Sequence, residues 1–371
     1  MCRLSAITAD KYFPVMDNIL ALETMKEGHD GSGLGVVLKD IGGEFKELKE
    51  YPILSGICTD EGRVTLDEFM KEAGFKVKFM WEPQITERPG SSVTRRGHYL
   101  TTAYQYPNAY IDRSQAERDA LLTETRLRLR ARGAKDNSLY VFSFWPDIIT
   151  LKEVGDPLEV GEFFGLDKKP LEAKIVLAQG RQNTNYAIDL YACHPFFLQG
   201  YGTMTNGENT AFLPNRDYLL RRGFSGYSNY NSDSEIFCHT LHFIHKKLDY
   251  PLPYYKDVIT PLSNQEIAGR PDAAALRLIK KSLRPLCIDG PNCVIGFLPD
   301  GTVFMVQDSK KLRPGVVGGG AGRYALMSEE CGLDQAIPQR DKEGDIIPMR
   351  YDFVIISPNA KEVQVWNQLK G

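Results

Sequence analysis

Apolar and polar positions alternate in clusters along this chain, and each cluster has a characteristic period. Residues 2–8 read as a short strand. Residues 11–26 carry Phe13, Met16, Ile19, Leu20 and Leu22 at helical spacing and predict an amphipathic helix. GLGVVLK at 33–39 predicts a second strand. Between 50 and 110 the pattern is harder to read: a helix near 66–73, a strand near 76–81, then the polar stretch TERPGSSVTRRG, expected as an exposed loop. Ser114 and Glu117 form the two halves of a capping box, and Gly133 follows the last expected turn, framing a helix of about five turns. Strands are expected at 138–145 and 174–179.

The C-terminal third holds the clearest hairpin, NCVIGFLPDGTVFMVQD, with Asp300-Gly301 between two apolar runs, the pair a tight primed turn prefers. Further strands are expected at 324–328, 353–357 and 362–366, and helices near 214–222, 234–247 and 264–283. Clustering of like elements, rather than strict alternation, favours an α+β fold with antiparallel sheets over a doubly wound parallel sheet. There is no internal repeat and no evident linker, so the expectation is one domain over 2–371 with an insertion of uncertain structure around 45–170.

Composition narrows the function classes. The 371 residues are 42% hydrophobic and 25% charged, as in soluble globular proteins. A net charge of -3 gives no case for nucleic-acid binding, and no apolar run approaches the roughly 20 residues of a membrane helix. Seven cysteines, odd in number and unpatterned, argue for free thiols in a reducing compartment, so a cytoplasmic location is expected. Without a CxxC, zinc-knuckle and iron–sulfur sites in this chain are not expected.

Cysteine at position 2 is the first chemical clue. Removal of Met1 would leave Cys2 with a free α-amine, whose reference pKa of about 7.7–8.0 lies close to the thiol's, about 8.5. Amine and thiol then sit on one residue, and the amine can act as general base for its own side chain. The segment 174–235 adds to this clue: GRQNTN at 180–185, HPF at 194–196, TNGENT at 205–210 and SDSE at 232–235.

In these residues the chain resembles the class II glutamine amidotransferases, which carry an N-terminal cysteine, and most closely the glutaminase domain of glutamate synthase. GRQNTN resembles that family's R-Y-S-T-N, HPF with TNGENT resembles P-F...H-N-G-E-I-N-T, and SDSE resembles its S-D-S. GHDGSGLGVV at 28–37, QDSKKLRP at 307–314 and YALMSEECGL at 324–333 resemble further segments. Glu27, Gln182 and Thr205 stand where relatives commonly have arginine, an aromatic residue and histidine.

The resemblance implies a four-layer αββα N-terminal-nucleophile sandwich and hydrolysis of glutamine to glutamate and ammonia. It implies Cys2 as nucleophile and Asn206 with Gly207 as the oxyanion hole. Such donors matter: losing one costs about 2.7–4 kcal/mol in comparable enzymes. It further implies Arg181 as a guanidinium fork for the substrate α-carboxylate, Thr184 as an added hydroxyl donor, and Asp233 as counter-ion to the α-ammonium. No cofactor or metal is expected in this chain. The expected partner is a separate glutamate synthase-type subunit carrying FMN and an iron–sulfur cluster, which uses the ammonia to aminate 2-oxoglutarate. A related synthase with another acceptor, or a non-catalytic scaffold subunit, are the alternatives.

Three other segments invite chemistry. Cys238, His239, His242 and His245 in FCHTLHFIH share a broad helical face that could bind metal, though packing into the core or a partner fits the spacing better. GVVGGGAGR at 315–323 lacks the Lys-Ser/Thr ending of a phosphate loop and is expected to be a flexible loop. RLRLRAR at 126–132, the basic half of a helix that begins with acids, suits the helix dipole and a solvated or partner-facing surface.

Overall fold

The computed structural model describes residues 2–27, 31–85, 93, 97–182, 190–223 and 232–371. In chain order its strands are β1 (Arg3–Pro14), β2 (Leu34–Ile41), β3 (Pro52–Cys58), β4 (Lys76–Met80), β5 (His98–Gln105), β6 (Leu139–Pro146), β7 (Ile148–Glu153), β8 (Glu172–Gly180), β9 (Phe196–Leu198), β10 (Tyr201–Gly207), β11 (Asn292–Phe297), β12 (Val303–Gln307), β13 (Val316–Gly320), β14 (Arg323–Met327), β15 (Asp352–Ile356) and β16 (Val363–Asn367). Its helices are α1 (Met16–Thr24), α2 (Asp60–Glu72), α3 (Gln115–Gly133), α4 (Pro157–Phe163), α5 (Phe212–Leu220), α6 (Glu235–His242), α7 (Pro253–Ile259), α8 (Asn264–Ala268), α9 (Ala273–Ser282) and α10 (Glu330–Ala336).

Two six-stranded sheets form the middle of the molecule, in the orders β13-β14-β1-β8-β2-β7 and β16-β15-β12-β11-β10-β9, and every paired neighbour is antiparallel. The inner strands are buried on both faces, yet the period of two still sorts their side chains. Leu4, Ala6, Val37, Ile175 and Leu177 of the first sheet share one core with Met204, Ile295, Phe297, Val303, Met305 and Val354 of the second. The alternate residues, such as Ile7, Val36, Val176, Val294, Phe304 and Phe353, belong to the core shared with the helices. There Ile19 and Leu22 of α1, Phe163 of α4 and Leu333 of α10 cover the first sheet, and Tyr255 of α7 meets Phe304 edge-on at 5.9 Å on the second. The result is the four-layer α+β sandwich with two antiparallel sheets.

The stretch around 45–170 divides. β7 and α4 belong to the sandwich, β7 pairing with β2 from Leu34↔Glu153 to Lys39↔Ile148. The inserted part is β3-α2-β4-β5-α3-β6, whose strands lie in the order β4-β5-β3-β6, all antiparallel. That is the split βαβ topology. It has its own apolar cluster, with Leu54, Leu66, Phe69, Phe75, Leu122, Leu129 and Phe144. The capping box of α3 is complete: Ser114 Oγ accepts from Glu117 N at 3.3 Å, and Ser114 N donates to the Glu117 carboxylate at 3.0 Å. The basic half of α3 departs from a solvated face. Arg126 is buried and donates to Phe197 O at 3.2 Å, and the buried Arg130 guanidinium lies 4.5 Å from the Tyr191 ring centre, while Arg128 is exposed beside Glu124.

Other boundaries differ from the pattern for local reasons. β1 runs on to Pro14, slipping register against β8 between Thr8 and Phe13, so the helix expected from 11 starts at Met16. Sheet pairing overrides the helical period there. The helix expected over 264–283 is two, α8 and α9, because Pro271 disfavours helical geometry at Arg270; Arg270 then grips Asp272 through two bonds of 2.8 and 2.7 Å. The β11–β12 turn is a three-residue loop, Pro299–Gly301, closed by Gly301 N to Leu298 O at 3.1 Å and Leu298 N to Thr302 O at 2.9 Å, not a two-residue primed turn. GVVGGGAGR is no flexible loop: it supplies the edge strand β13, paired with β14 from Val316↔Met327 to Gly320↔Arg323. Gly319 there has φ +133° and no room for a Cβ beside Arg323 O. TERPGSSVTRRG falls almost wholly outside the described residues. Among the described residues, no helix is long and apolar enough to cross a membrane.

Candidate active site

β8 lies between β1 and β2, and its C-terminal end faces the N-terminal ends of both, with Gly180 opposite Arg3 and Leu34. The chain leaves β8 into Arg181 and Gln182. Arg181 N donates to Gly33 O at 2.7 Å, and Ser32 Oγ donates to Arg181 O at 2.8 Å. Gln182 N points at Cys2 Sγ at 3.5 Å, and the sulfur lies 3.8 Å from Gln182 O. Cys2 is half-buried. Its neighbour Arg3 is anchored on the opposite face, donating to Met25 O at 2.6 Å and pairing with Glu329 at 3.0 Å.

The second sheet meets this corner through β10, which ends in Asn206 and Gly207, opposite Cys293 and Asn292 of β11. Continuing the period of two from Leu4, Leu177 and Met204 puts Cys2, Gln179, Arg181 and Asn206 on the inter-sheet side. The layers are joined here by buried polar contacts. Gln179 Nε2 donates to Thr205 O at 2.8 Å and lies 3.0 Å from His194 Nδ1; His194 N donates to Gln179 Oε1 at 3.2 Å; Thr205 N donates to His194 Nδ1 at 2.9 Å. Gln179 also pairs with Leu4 in β1, so one side chain separates the strand that begins beside Cys2 from the strand that ends in Asn206.

Asn206 is 2% exposed, and its Nδ2 has no hydrogen-bond partner among the described residues. A buried amide donor without an acceptor costs about 1–3 kcal/mol, which makes Asn206 Nδ2 a candidate donor to a ligand. Gly207 is required on packing grounds: a Cβ there would lie 2.1 Å from Pro291 O. Asp233, just before α6, accepts from Asn209 N at 2.7 Å and from Ser234 Oγ at 3.1 Å. Burial, reinforced by the Glu208 carboxylate, pushes its carboxyl above the usual aspartate range, and no cation among the described residues pairs with it. The structure therefore ties Cys2 to Gln182, Gln179 of β8 to Thr205 beside Asn206, and Asp233 to the turn after Gly207. Thr184 lies outside the described residues.

Sequence reasoning missed Gln179, His194 and Lys152. Burial holds His194 far below the usual histidine range, with Lys152 and Arg181 adding to the effect, so its ring is a neutral acceptor. Lys152 is buried against the Phe142 and Phe196 rings and donates to Cys193 O. The same period that buries Ile175 and Leu177 between the sheets would have pointed to Gln179.

The histidine face of α6 is packed. His242 Nε2 lies 2.8 Å from Gln199 Oε1, His245 Nδ1 2.9 Å from Tyr201 OH, and His239 Nε2 3.4 Å from Glu235. Among the described residues no group of three or more His, Cys, Asp or Glu side chains could hold a metal ion.

No protein-family model and no curated protein matches the sequence. Among solved structures, the glutamine phosphoribosylpyrophosphate amidotransferase from B. subtilis, complexed with ADP and GMP, is 12% identical with a TM-score of 0.47. A structure described as the allosteric regulatory enzyme of purine biosynthesis is 11% identical with a TM-score of 0.50. Both alignments cover 98% of this chain and 49% of the other, so the chain spans about half the length of the structures it matches. At such identities the likeness concerns architecture alone, and the second structure agrees with the α+β architecture described above.

Proposed function

We propose that this chain is a class II glutamine amidotransferase subunit that hydrolyses glutamine and passes the ammonia on. The observation that carries the reading is the buried Asn206 Nδ2, without a partner among the described residues, at the end of the sandwich where Cys2 emerges. An amide donor waiting in a dry corner beside a thiol is what a tetrahedral oxyanion needs.

In this reading Met1 is removed and the Cys2 α-amine takes the thiol proton. The thiolate attacks the side-chain amide carbon of glutamine. Asn206 Nδ2 and the Gly207 N–H stabilise the oxyanion. The C–N bond then breaks, the leaving nitrogen takes the proton as ammonia, and water cleaves the γ-glutamyl thioester to glutamate and free thiol. Arg181 binds the α-carboxylate, with Thr184 adding a hydroxyl. Asp233, partly buried and without a paired cation among the described residues, receives the α-ammonium. The ammonia acceptor is 2-oxoglutarate on a separate glutamate synthase-type subunit that carries the FMN and iron–sulfur groups. This last step rests on the motif resemblance of residues 180–185, 194–196, 205–210 and 232–235.

Glutamate release from glutamine, measured on the processed protein and on Cys2→Ala, tests the reading. Loss of hydrolysis to background in the variant is expected; equal rates in both would remove Cys2 from the chemistry.

A further inference from the structure

The polar bridge between the sheets lies one residue from Asn206, and nothing in the chemistry above uses it. It is not a surface contact. Gln179 is fully buried, His194 is 7% exposed and Thr205 is 1% exposed. Gln179 both donates and accepts within the bridge, and His194 Nδ1 receives the Thr205 N–H. The segment that carries His194 is itself held from β7, where the Lys152 ammonium donates to Cys193 O. β8 and β7 of the first sheet thus grip the 193–194 segment, and through it they fix the backbone of Thr205 in the second.

This arrangement sets a distance. β8 is in register with β1, Leu4 opposite Gln179, so the sulfur of Cys2 moves with β8. Asn206 moves with Thr205. An apolar side chain at 179 would still fill the gap between sheets, but it would leave the position of Asn206 relative to Cys2 to the surrounding packing alone. Misplacement by about 1 Å of a group that stabilises a transition state can cost about 100-fold in rate.

We infer that Gln179 and His194 are positioning residues that set the spacing between the Cys2 nucleophile and the Asn206 amide donor across the two sheets. The inference rests on the glutaminase reading and names residues that reading leaves idle. His194 acts as a neutral acceptor; its depressed basicity keeps Nδ1 available to the Thr205 N–H. An asparagine oxygen can stand where Nδ1 stands and accept both N–H groups, whereas alanine cannot.

The test compares wild type, Gln179→Leu, His194→Ala and His194→Asn for glutamine hydrolysis, with the rate of Cys2 alkylation by iodoacetamide, read by peptide mass, as a second measurement. Gln179→Leu and His194→Ala are expected to lower kcat by about 100-fold with KM for glutamine little changed and Cys2 alkylated at the wild-type rate. His194→Asn is expected to recover most of kcat. Wild-type kcat in Gln179→Leu, or a fall in kcat matched by loss of Cys2 alkylation in both deletion variants and not relieved by asparagine, would overturn the positioning role while leaving the glutaminase reading standing. A processed wild-type protein inert toward glutamine would overturn both.

Discussion

Two regions of this molecule concentrate polar side chains, and they differ in the neighbours those side chains meet. α6 and the turn after it carry the buried Cys238, His239 and His242 and the partly buried His245, the residue types usually read as chemistry. The corner where Cys2 meets β10 offers one thiol, an asparagine and an aspartate. On α6, His242 and His245 are held by Gln199 and Tyr201, and the Cys238 thiol lies 3.5 Å from Tyr201 O with its ionisation suppressed by burial. At the corner, Asn206 Nδ2 has no acceptor and Asp233 has no cation among the described residues. Native interiors pair nearly all their buried polar groups. A buried amide donor without an acceptor among the described residues, at the end of the sandwich where a half-buried thiol lies, is the feature the glutaminase reading draws on; the three histidines each already have a named neighbour.

The sharpest way to break this comparison is Asn206→Ala. Removing a single oxyanion donor costs about 100- to 1,000-fold in kcat, and the deleted amide leaves no partner stranded, so the fold is expected to survive. Steady-state hydrolysis of glutamine with a thermal melt checks both halves; wild-type kcat would make the unfilled donor a packing accident. Asp233→Asn comes next. An asparagine oxygen can still receive the Asn209 N–H, so the turn after Gly207 is retained while the charge is lost. A charge-assisted hydrogen bond contributes about 1.5–3 kcal/mol, so KM for glutamine is expected to rise about 10- to 100-fold with kcat much less affected.

The smallest effect is expected on the histidine face. Burial lowers the His242 pKa to about 3, with Lys247 and Lys246 adding to it, against about 6.5 in the unfolded chain. Below about pH 6.5 the unfolded chain therefore binds the extra proton, and stability falls as the pH drops toward the folded value, by about 1.4 kcal/mol per pH unit for each such histidine. Asp257, raised by burial to about 6, acts with the opposite sign: its contribution is present below about pH 3.8 and lost as the pH rises through 6. The difference between wild type and His242→Gln isolates the histidine. Denaturant titrations from pH 7 to 5 should show a shallower loss in the variant and unchanged glutamine hydrolysis; an activity loss in His242→Gln would join the two regions that the comparison separates.

The fold was readable wherever a strand or helix announced itself through its own side chains. The apolar run in 174–179, the capping box Ser114–Glu117 and the apolar runs around Asp300-Gly301 all correspond to elements near the expected bounds. Legibility failed where a partner decides. Residues 11–14 look helical but continue β1, with Phe13 and Pro14 paired to Ala173 and Glu172 of β8. Val316–Gly320 looks like a loop because its glycines answer to neighbouring chain, not to local preference. The split βαβ insert is invisible to motif reasoning because its four strands are ordered only by long-range pairing. At the site, Cys2, Arg181, Asn206, Gly207 and Asp233 could be named from motif order, but the reason for Gly207 is the backbone of Pro291, which no motif contains. His194 lies in the HPF segment and Gln179 on the inter-sheet period of β8, but neither signal says what the side chain meets until the two sheets come together.

The central claim is that the sulfur next to Gln182 is the nucleophile of a processed N-terminus facing a glutamine site. Incubation of the purified protein with the diazoketone analogue of glutamine, followed by mass analysis of the intact chain and its N-terminal peptide, tests it most directly. The account predicts a chain lacking Met1 and a single covalent adduct on the Cys2 sulfur, blocked by excess glutamine. A chain that keeps Met1, or an adduct on Cys331 with Cys2 untouched, would contradict it.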